Sequence, residues 1–197
     1  MDDKRFKIKN GVLVDCKNVG FIEDIVIPHG VEVIGKKAFK KTMLRSVTIP
    51  TSVKRIEPAA FDKCELLVEV NYLGTVEQWL QIQRSEDGLC GWLKIDGNPI
   101  EHLVIPDGTE AIRMYAFRGI EEIKSVYIPD SVVFISPLSF SSVDAISIPP
   151  SVGNFGWTAF GVNGRQMDLN VEYRGSREQF EKMEYYGGVS WTVTFKK

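Results

Sequence analysis

The sequence predicts a β-rich α/β solenoid in which stacked coils each supply a strand and a short helical turn. Three observations predict it. An Ile-Pro pair, a short apolar alternation and an Ala-Phe pair recur in order five times. They run from Ile27-Pro28 to Ala38-Phe39, Ile49-Pro50 to Ala60-Phe61, Ile105-Pro106 to Ala116-Phe117, Ile128-Pro129 to Ser139-Phe140, and Ile148-Pro149 to Ala159-Phe160. The prolines are 22 (28 to 50), 23 (106 to 129) and 20 (129 to 149) residues apart; a fixed period of about 20–50 residues marks units that bury their apolar faces against one another. Finally, the 56-residue gap between Pro50 and Pro106 holds a strand–helix–strand segment that returns 101 residues later.

The first element is a starter hairpin within residues 1–20. Phe6-Lys7-Ile8-Lys9 and Val12-Leu13-Val14 flank Asn10-Gly11, and Asn-Gly between alternating segments is a strong hairpin signal. Such a hairpin covers the open end of a ladder that otherwise exposes unpaired backbone.

Each coil begins with a half-buried strand. In Ser46-Val47-Thr48-Ile49, period-2 alternation turns Val47 and Ile49 inward and Ser46 and Thr48 outward. The same parity runs through Ser125-Val126-Tyr127-Ile128 and Ala145-Ile146-Ser147-Ile148. Proline donates nothing to a ladder, so Pro50 marks the strand's exit. Turn formers follow, such as His29-Gly30, Thr51-Ser52, Asp107-Gly108 and Asp130-Ser131. A second apolar pair comes next, Val31 with Ile34 or Val53 with Ile56, before Ala-Phe puts its ring in the core. Lysines and small residues after the Phe fit one helical or 3₁₀ turn.

The duplicated segments read Tyr72-Leu73-Gly74-Thr75-Val76-Glu77-Gln78-Trp79 and Tyr173-Arg174-Gly175-Ser176-Arg177-Glu178-Gln179-Phe180. Thr75 with Gln78, and Ser176 with Gln179, each spell a capping box. Trp79 with Ile82, and Phe180 with Met183, then share the inward face of a short helix. Strands led by Trp92 and Trp191 come after each helix. The chain thus divides into residues 1–20, 21–98 and 99–197, expected to form one continuous solenoid.

Composition narrows the functional classes. The 197-residue chain is 44% hydrophobic and 25% charged, with 24 Lys and Arg against 26 Asp and Glu for a net charge of −2. That balance argues against nucleic acid and anionic membranes as partners. Apolar runs stop well short of the roughly 20 residues that span a bilayer, which argues against membrane insertion. Met1-Asp2-Asp3-Lys4-Arg5 leads into an alternation and not into a signal-peptide core. A cytoplasmic protein is expected, or a secreted or cell-surface one if a leader has been trimmed. Cys16, Cys64 and Cys90 are odd in number and lack CxxC spacing, against a disulfide framework. Cys64 reads as a small buried thiol in the turn of its coil. With only His29 and His102 besides, no metal site is expected.

The pattern Ile-Pro-x-x-Val-x-x-Ile-x-x-x-Ala-Phe resembles the BspA-type leucine-rich repeat of bacterial proteins, and residues 49–64, ending in Cys64, follow it closely. The Tyr-x-Gly-Thr-x-x-Gln-Trp segment at 72–79 is similar to an accessory element of the same proteins. The resemblance covers most of residues 20–197 and implies a right-handed leucine-rich-repeat solenoid with one long, mainly parallel sheet. It also implies a family with many surface adhesin-like members, and it supplies no catalytic residues. Two coils depart from the pattern, at Ser139 and at Asn154-Phe155, and irregularity is expected there.

A search for chemistry yields a decoy. The 30–37 stretch nearly spells a phosphate-binding loop, but Lys37 stands where a magnesium-binding hydroxyl belongs and the interior is strand-like. There is no GxSxG elbow, and no carboxylate pair is brought together by spacing. His29 and His102 read as solvated or capping residues. The expectation is therefore no enzyme and no cofactor. What remains is the outward column of the sheet. Its binding candidates are Thr48, Glu69, Asn71, Val104, Tyr127, Ser147, Asn170 and Glu172, with Val26 in the same column. Such columns on a concave sheet are the usual binding surface of leucine-rich repeats. Tyr127, Phe134, Trp157, Tyr185 and Tyr186 lack an obvious inward place, although Phe134 and Trp157 fit as core of irregular coils. The reading is a non-enzymatic scaffold for an unidentified protein partner. The alternative is a surface adhesin-like or carbohydrate-binding module, its aromatics stacking on a glycan. Roughly seven layers at about 4.8 Å give a ladder on the order of 30 Å, enough for a standard protein–protein patch.

Overall fold

A computed structural model of the chain describes residues 4–16, 23–84, 89, 91–120, 122–141, 143–155, 159–160, 169–185 and 191–195. The chain divides into two compact units, Met1–Pro99 and Ile100–Lys197.

In the first unit, the hairpin of β1 (Phe6–Lys9) and β2 (Val12–Cys16) turns at Asn10 and Gly11, both at positive φ as a tight type I′ turn requires. There follow β3 (Glu23–Val26), β4 (Val33–Ile34), β5 (Leu44–Ile49), β6 (Arg55–Ile56) and β7 (Glu69–Tyr72). Helix α1 (Val76–Gln81), β8 (Gln83–Arg84), β9 (Trp92–Ile95) and β10 (Asn98–Pro99) complete the unit. The broad sheet has the order β10-β9-β7-β5-β3, parallel except for β10. A narrow sheet of order β1-β2-β4-β6-β8 forms a second wall.

The second unit repeats the plan. Its broad sheet is wholly parallel, in the order β11 (His102–Val104), β13 (Ser125–Tyr127), β15 (Ala145–Ile148), β17 (Leu169–Tyr173) and β19 (Trp191–Phe195). The narrow sheet is β12 (Ala111–Ile112), β14 (Phe134–Ile135), β16 (Asn154–Phe155) and β18 (Glu184–Tyr185). Helix α2 (Arg177–Glu181) lies between β17 and β18.

Both units are thus solenoids of stacked parallel coils with few helices, and each coil has a strand on either wall. The apolar pairs after the prolines supply the narrow strands. Inward residues of both walls are buried: Val47, Ile49, Val53 and Ile56 in one coil, Val126, Ile128, Val132 and Ile135 in another. A fully buried side chain of this kind contributes about 1.5–3 kcal/mol.

The repeated residues have separate tasks at the turns. Each Pro carbonyl opens a turn closed by the N–H three residues on, as from Val53 to Pro50 and from Val132 to Pro129. The Ala-Phe corner stacks its rings from coil to coil: Phe39 on Phe61 at 5.0 Å, Phe117 on Phe140 at 5.3 Å, and Phe140 on Phe160 at 5.4 Å. Before four of the five phrases' closing pairs, among the described residues, a non-glycine residue adopts the left-handed conformation: Lys37, Ala59 and Tyr115 before Ala-Phe, and Leu138 before Ser139-Phe140. That conformation frees the Phe N–H to bond the next coil, from Phe39 to Ala60 and from Phe117 to Ser139. Single turns closed by a hydrogen bond three residues back follow the Phe, as from Thr42 N–H to Phe39, which is the 3₁₀-type form of the expected turn.

The expected irregularity at Ser139 and Asn154-Phe155 is corrected. Ser139 is fully buried, and its hydroxyl lies 2.6 Å from the Ser136 carbonyl and 3.1 Å from that of Arg113. Hydrogen bonding to these carbonyls lets a polar group take the alanine site. Asn154 and Phe155 form β16, in register with β14 and β18.

The duplicated motif also has a packing explanation. Thr75 and Ser176 accept the N–H of Gln78 and Gln179, whose side chains accept the cap N–H in return. Tyr72 packs on Trp79 at 5.5 Å and Tyr173 on Phe180 at 5.2 Å. Any Cβ at Gly74 or Gly175 would lie 2.6 Å from the ring of the preceding Tyr, so only glycine fits between ring and cap. Trp79, Ile82, Phe180 and Met183 are buried as expected.

Candidate binding surface

The outward residues of each broad sheet lie in two rows fixed by strand register. In the first unit one row is Val26, Thr48, Asn71 and Lys94, and the other Asp24, Ser46, Glu69 and Trp92. Its polar members are mutually engaged. Arg45 bonds Asp24 with Nε at 3.1 Å and Nη2 at 2.6 Å, and the Ser46 hydroxyl donates to Asp24 at 2.8 Å. The Arg45 bond, then Ser46, hold the Asp24 carboxyl below its ordinary range, and the same bond raises Arg45. Lys94 pairs with Glu69 at 2.7 Å, and Asn71 accepts the Gly97 N–H at 3.0 Å. Val26 (60% exposed) and Trp92 (54%) stand on different rows at the two ends of this charged field.

In the second unit one row is Val104, Tyr127, Ser147, Glu172 and Thr194, and the other His102, Ser125, Ala145, Asn170 and Thr192. Val104 (61% exposed) and Tyr127 (42%) are neighbours, an apolar end to the row. A shallow groove of about 310 Å³ crosses β13, β15, β17 and β19 over Ser125, Tyr127, Ala145, Ser147, Asn170, Glu172, Thr192 and Thr194. Ser147 donates to Glu172 at 2.7 Å, His102 Nδ1 lies 2.8 Å from the Ser125 hydroxyl, and the Asn170 amide donates to the Asp144 carbonyl. Beside the sheet, Lys124 pairs with Glu101; that bond depresses the Glu101 carboxyl and raises the lysine.

The eight candidates therefore separate into two groups. Thr48, Glu69 and Asn71 sit half-buried on the first unit's face, and Val104, Tyr127, Ser147, Asn170 and Glu172 share the second unit's face. Among the other aromatics, Phe134 is not core: it stands outward on β14, 45% exposed. Trp157, Tyr186, Cys90 and the Tyr185 side chain lie outside the described residues.

The sequence reading missed Arg174. Its guanidinium reaches across β15 to lie 4.4 Å over the Tyr127 ring, donates to the Tyr127 hydroxyl and the Ile128 carbonyl, and pairs with Asp130 at 3.1 Å. With its side chain only 11% exposed, Arg174 covers one face of the Tyr127 ring, which itself lines the groove. No local signal reveals this, since the contact spans 47 residues.

The remaining chemical candidates resolve into structure. The 30–37 stretch is a turn followed by β4, not a loop opening a helix. Cys64 is half-buried, less than expected; its thiol donates to the Phe39 carbonyl at 2.9 Å, and burial pushes its pKa up. Turn serines bind coil to coil: the Ser52 hydroxyl donates to Val31 and accepts from Gly30, and Ser131 does the same with Thr109 and Gly108.

Repeating parallel coils, a Phe stack at one corner and an open broad sheet define a leucine-rich-repeat solenoid scaffold. The model of the BspA type leucine rich repeat region matches residues 3–79 and 96–174 in six copies, and the chain belongs to that family. The first match takes in the starter hairpin, which has no Ile-Pro phrase. No curated protein matches the chain. Among solved structures the chain is similar to a leucine rich cell surface protein from Faecalibacterium prausnitzii A2-165, at 24% identity over 90% of this chain and 39% of that one (TM-score 0.37). It is similar also to a leucine-rich repeat protein from Eubacterium ventriosum ATCC 27560, at 15% identity over 78% of this chain and 42% of that one (TM-score 0.47). A third, from Bacteroides ovatus ATCC 8483, shares 17% identity over 94% of this chain and 66% of that one (TM-score 0.32). The chain spans about two fifths of the length of the first two.

Proposed function

We propose that the chain is a non-enzymatic scaffold that holds a protein partner on the exposed face of the second unit's broad sheet. One contrast carries this reading. On the first unit's face Asp24, Ser46, Glu69, Asn71 and Lys94 are engaged by neighbouring groups and the apolar residues stand apart. On the second, Val104 and Tyr127 adjoin beside an open groove. Adjacent exposed apolar side chains with a polar surround are the usual makings of a protein interface. The carbohydrate reading has less support, because Arg174 occupies one face of the Tyr127 ring.

The test compares variants in partner capture. Wild-type chain, Val104→Asp and Val26→Asp are each used as bait against lysate and culture medium of the source organism. The proposal expects a protein retained by wild type and Val26→Asp and lost with Val104→Asp. Retention by Val104→Asp, or loss with Val26→Asp alone, would contradict it.

A further inference from the structure

Resting on that reading of the second unit's face, the geometry points to the kind of segment the groove takes. We propose an extended polypeptide in which an apolar side chain and a lysine or arginine lie about four residues apart.

Two points along the row set this requirement. Val104 and Tyr127 present apolar surface at one end. Glu172, exposed and one strand short of Thr194 at the far end, is held by the Ser147 hydroxyl and makes no ion pair among the described residues. One donated hydrogen bond leaves most of a carboxylate's acceptor sites open. The neighbouring cations are already engaged, Arg174 with Asp130 and Lys124 with Glu101, so the groove offers a negative charge without its complement.

Spacing then fixes the separation. Val104 and Glu172 are three strand steps apart through Tyr127 and Ser147, roughly 14 Å at about 4.8 Å per step. An extended chain advances about 3.3 Å per residue, so about four residues cover the distance. Between Val104 and Glu172, Ser125, Ala145 and Ser147 are small, which lets a backbone lie close to the sheet. The hydroxyl oxygens of Ser125 and Ser147 keep acceptor capacity beyond their present partners and can meet its amide N–H groups.

The probe is a random dodecapeptide phage library panned on the full chain. The proposal expects enrichment of an apolar residue followed four positions later by Lys or Arg. Synthetic versions should bind wild type and lose affinity with Glu172→Gln by up to about fivefold, the upper range of an exposed ion pair. Raising salt to 0.5 M should remove the same increment. Val104→Ser should weaken every enriched peptide, and both variants replace exposed residues, with unchanged melting as the control. Peptides that need Val104 but carry no basic residue, or ignore Glu172→Gln, overturn the proposed chemistry and leave the sheet-face reading intact. Peptides indifferent to both variants overturn both. Absence of enrichment, or binding of an oligosaccharide array in place of peptides, overturns the peptide proposal.

Discussion

The guanidinium of Arg174 lies 4.4 Å over the ring of Tyr127, two strands away across β15. It fastens the second unit's groove at the point where its apolar end begins. A half-exposed aromatic ring is otherwise free to change rotamer. With Arg174 over its face and on its hydroxyl, it is held in one orientation. Arg174→Ala should lower stability by about 1–3 kcal/mol, the range for lost charge-assisted hydrogen bonds, and shift the Tyr127 ring resonances. Arg174→Lys should restore little of this, because an ammonium lacks the planar fork that reaches ring, hydroxyl and carbonyl together. Wild-type melting and ring shifts in Arg174→Ala would contradict the clamp.

Gly175 and Gly74 make room for the Tyr rings behind the capping boxes. A methyl group at either site would lie 2.6 Å from the ring of Tyr173 or Tyr72, both fully buried. Gly175→Ala should cost about 1–3 kcal/mol by overpacking, read as a lowered urea midpoint. Gln179→Ala, which removes only half of a cap, should cost less. The reverse order would show that the cap dominates and the close approach does not.

Ala59 sits at φ 57°, immediately before Ala60-Phe61. The left-handed conformation costs an L-residue roughly 1–2 kcal/mol that glycine escapes. Ala59→Gly should therefore raise stability by up to about 1 kcal/mol, the remainder being offset by greater freedom of the unfolded chain. A clear loss of stability in urea denaturation would argue against the assigned conformation.

Asp24, Asp62 and Glu101 are held below their ordinary pKa by hydrogen bonds from Arg45, Lys40 and Lys124 respectively. Groups depressed on folding contribute stability above their unfolded values, about 3.9–4.3, and lose it as the pH falls through the lower folded values. The melting temperature should hold from pH 7 to about 5 and fall below about pH 4. Asp24→Asn should shallow that fall, and 0.5 M salt should do likewise, since the pairs are exposed. Lys124 is raised by Glu101, so its share of stability is present below the unfolded value of about 10.4 and is lost only as the pH rises through the higher folded one. An acid limb identical in Asp24→Asn would count against the Arg45 pair.

Much of this architecture was legible because its signals are local. Period-2 parity placed Val47 and Ile49 inward and Tyr127 outward, three-residue spacing disclosed both capping boxes, and Asn10-Gly11 marked its hairpin. Apart from the strand-like stretch that holds Val33 and Ile34, the narrow sheets were not legible as strands, since two residues such as Arg55 and Ile56 cannot display an alternation. Asp96-Gly97 was a readable signal overlooked: both residues take positive φ and fold β10 back on β9. The left-handed Lys37, Ala59, Tyr115 and Leu138 had no signal, because hydrogen bonding between coils overrides their own preference. On the broad sheets, parity placed these side chains outward, in two rows where one column was expected, but could not tell engaged from available groups. The pairing of Glu69 with Lys94, the hydrogen bond from Ser147 to Glu172 and the reach of Arg174 arise only when distant coils stack.

The most direct test of the central claim is methyl NMR of the full chain titrated with a polypeptide selected on it. Val104 and Ala145 lie on the second unit's face and Val26 on the first unit's. The account predicts that the Val104 and Ala145 methyl resonances shift with saturation while those of Val26 stay in place. Saturating binding that moves Val26 and leaves Val104 and Ala145 unchanged would contradict it.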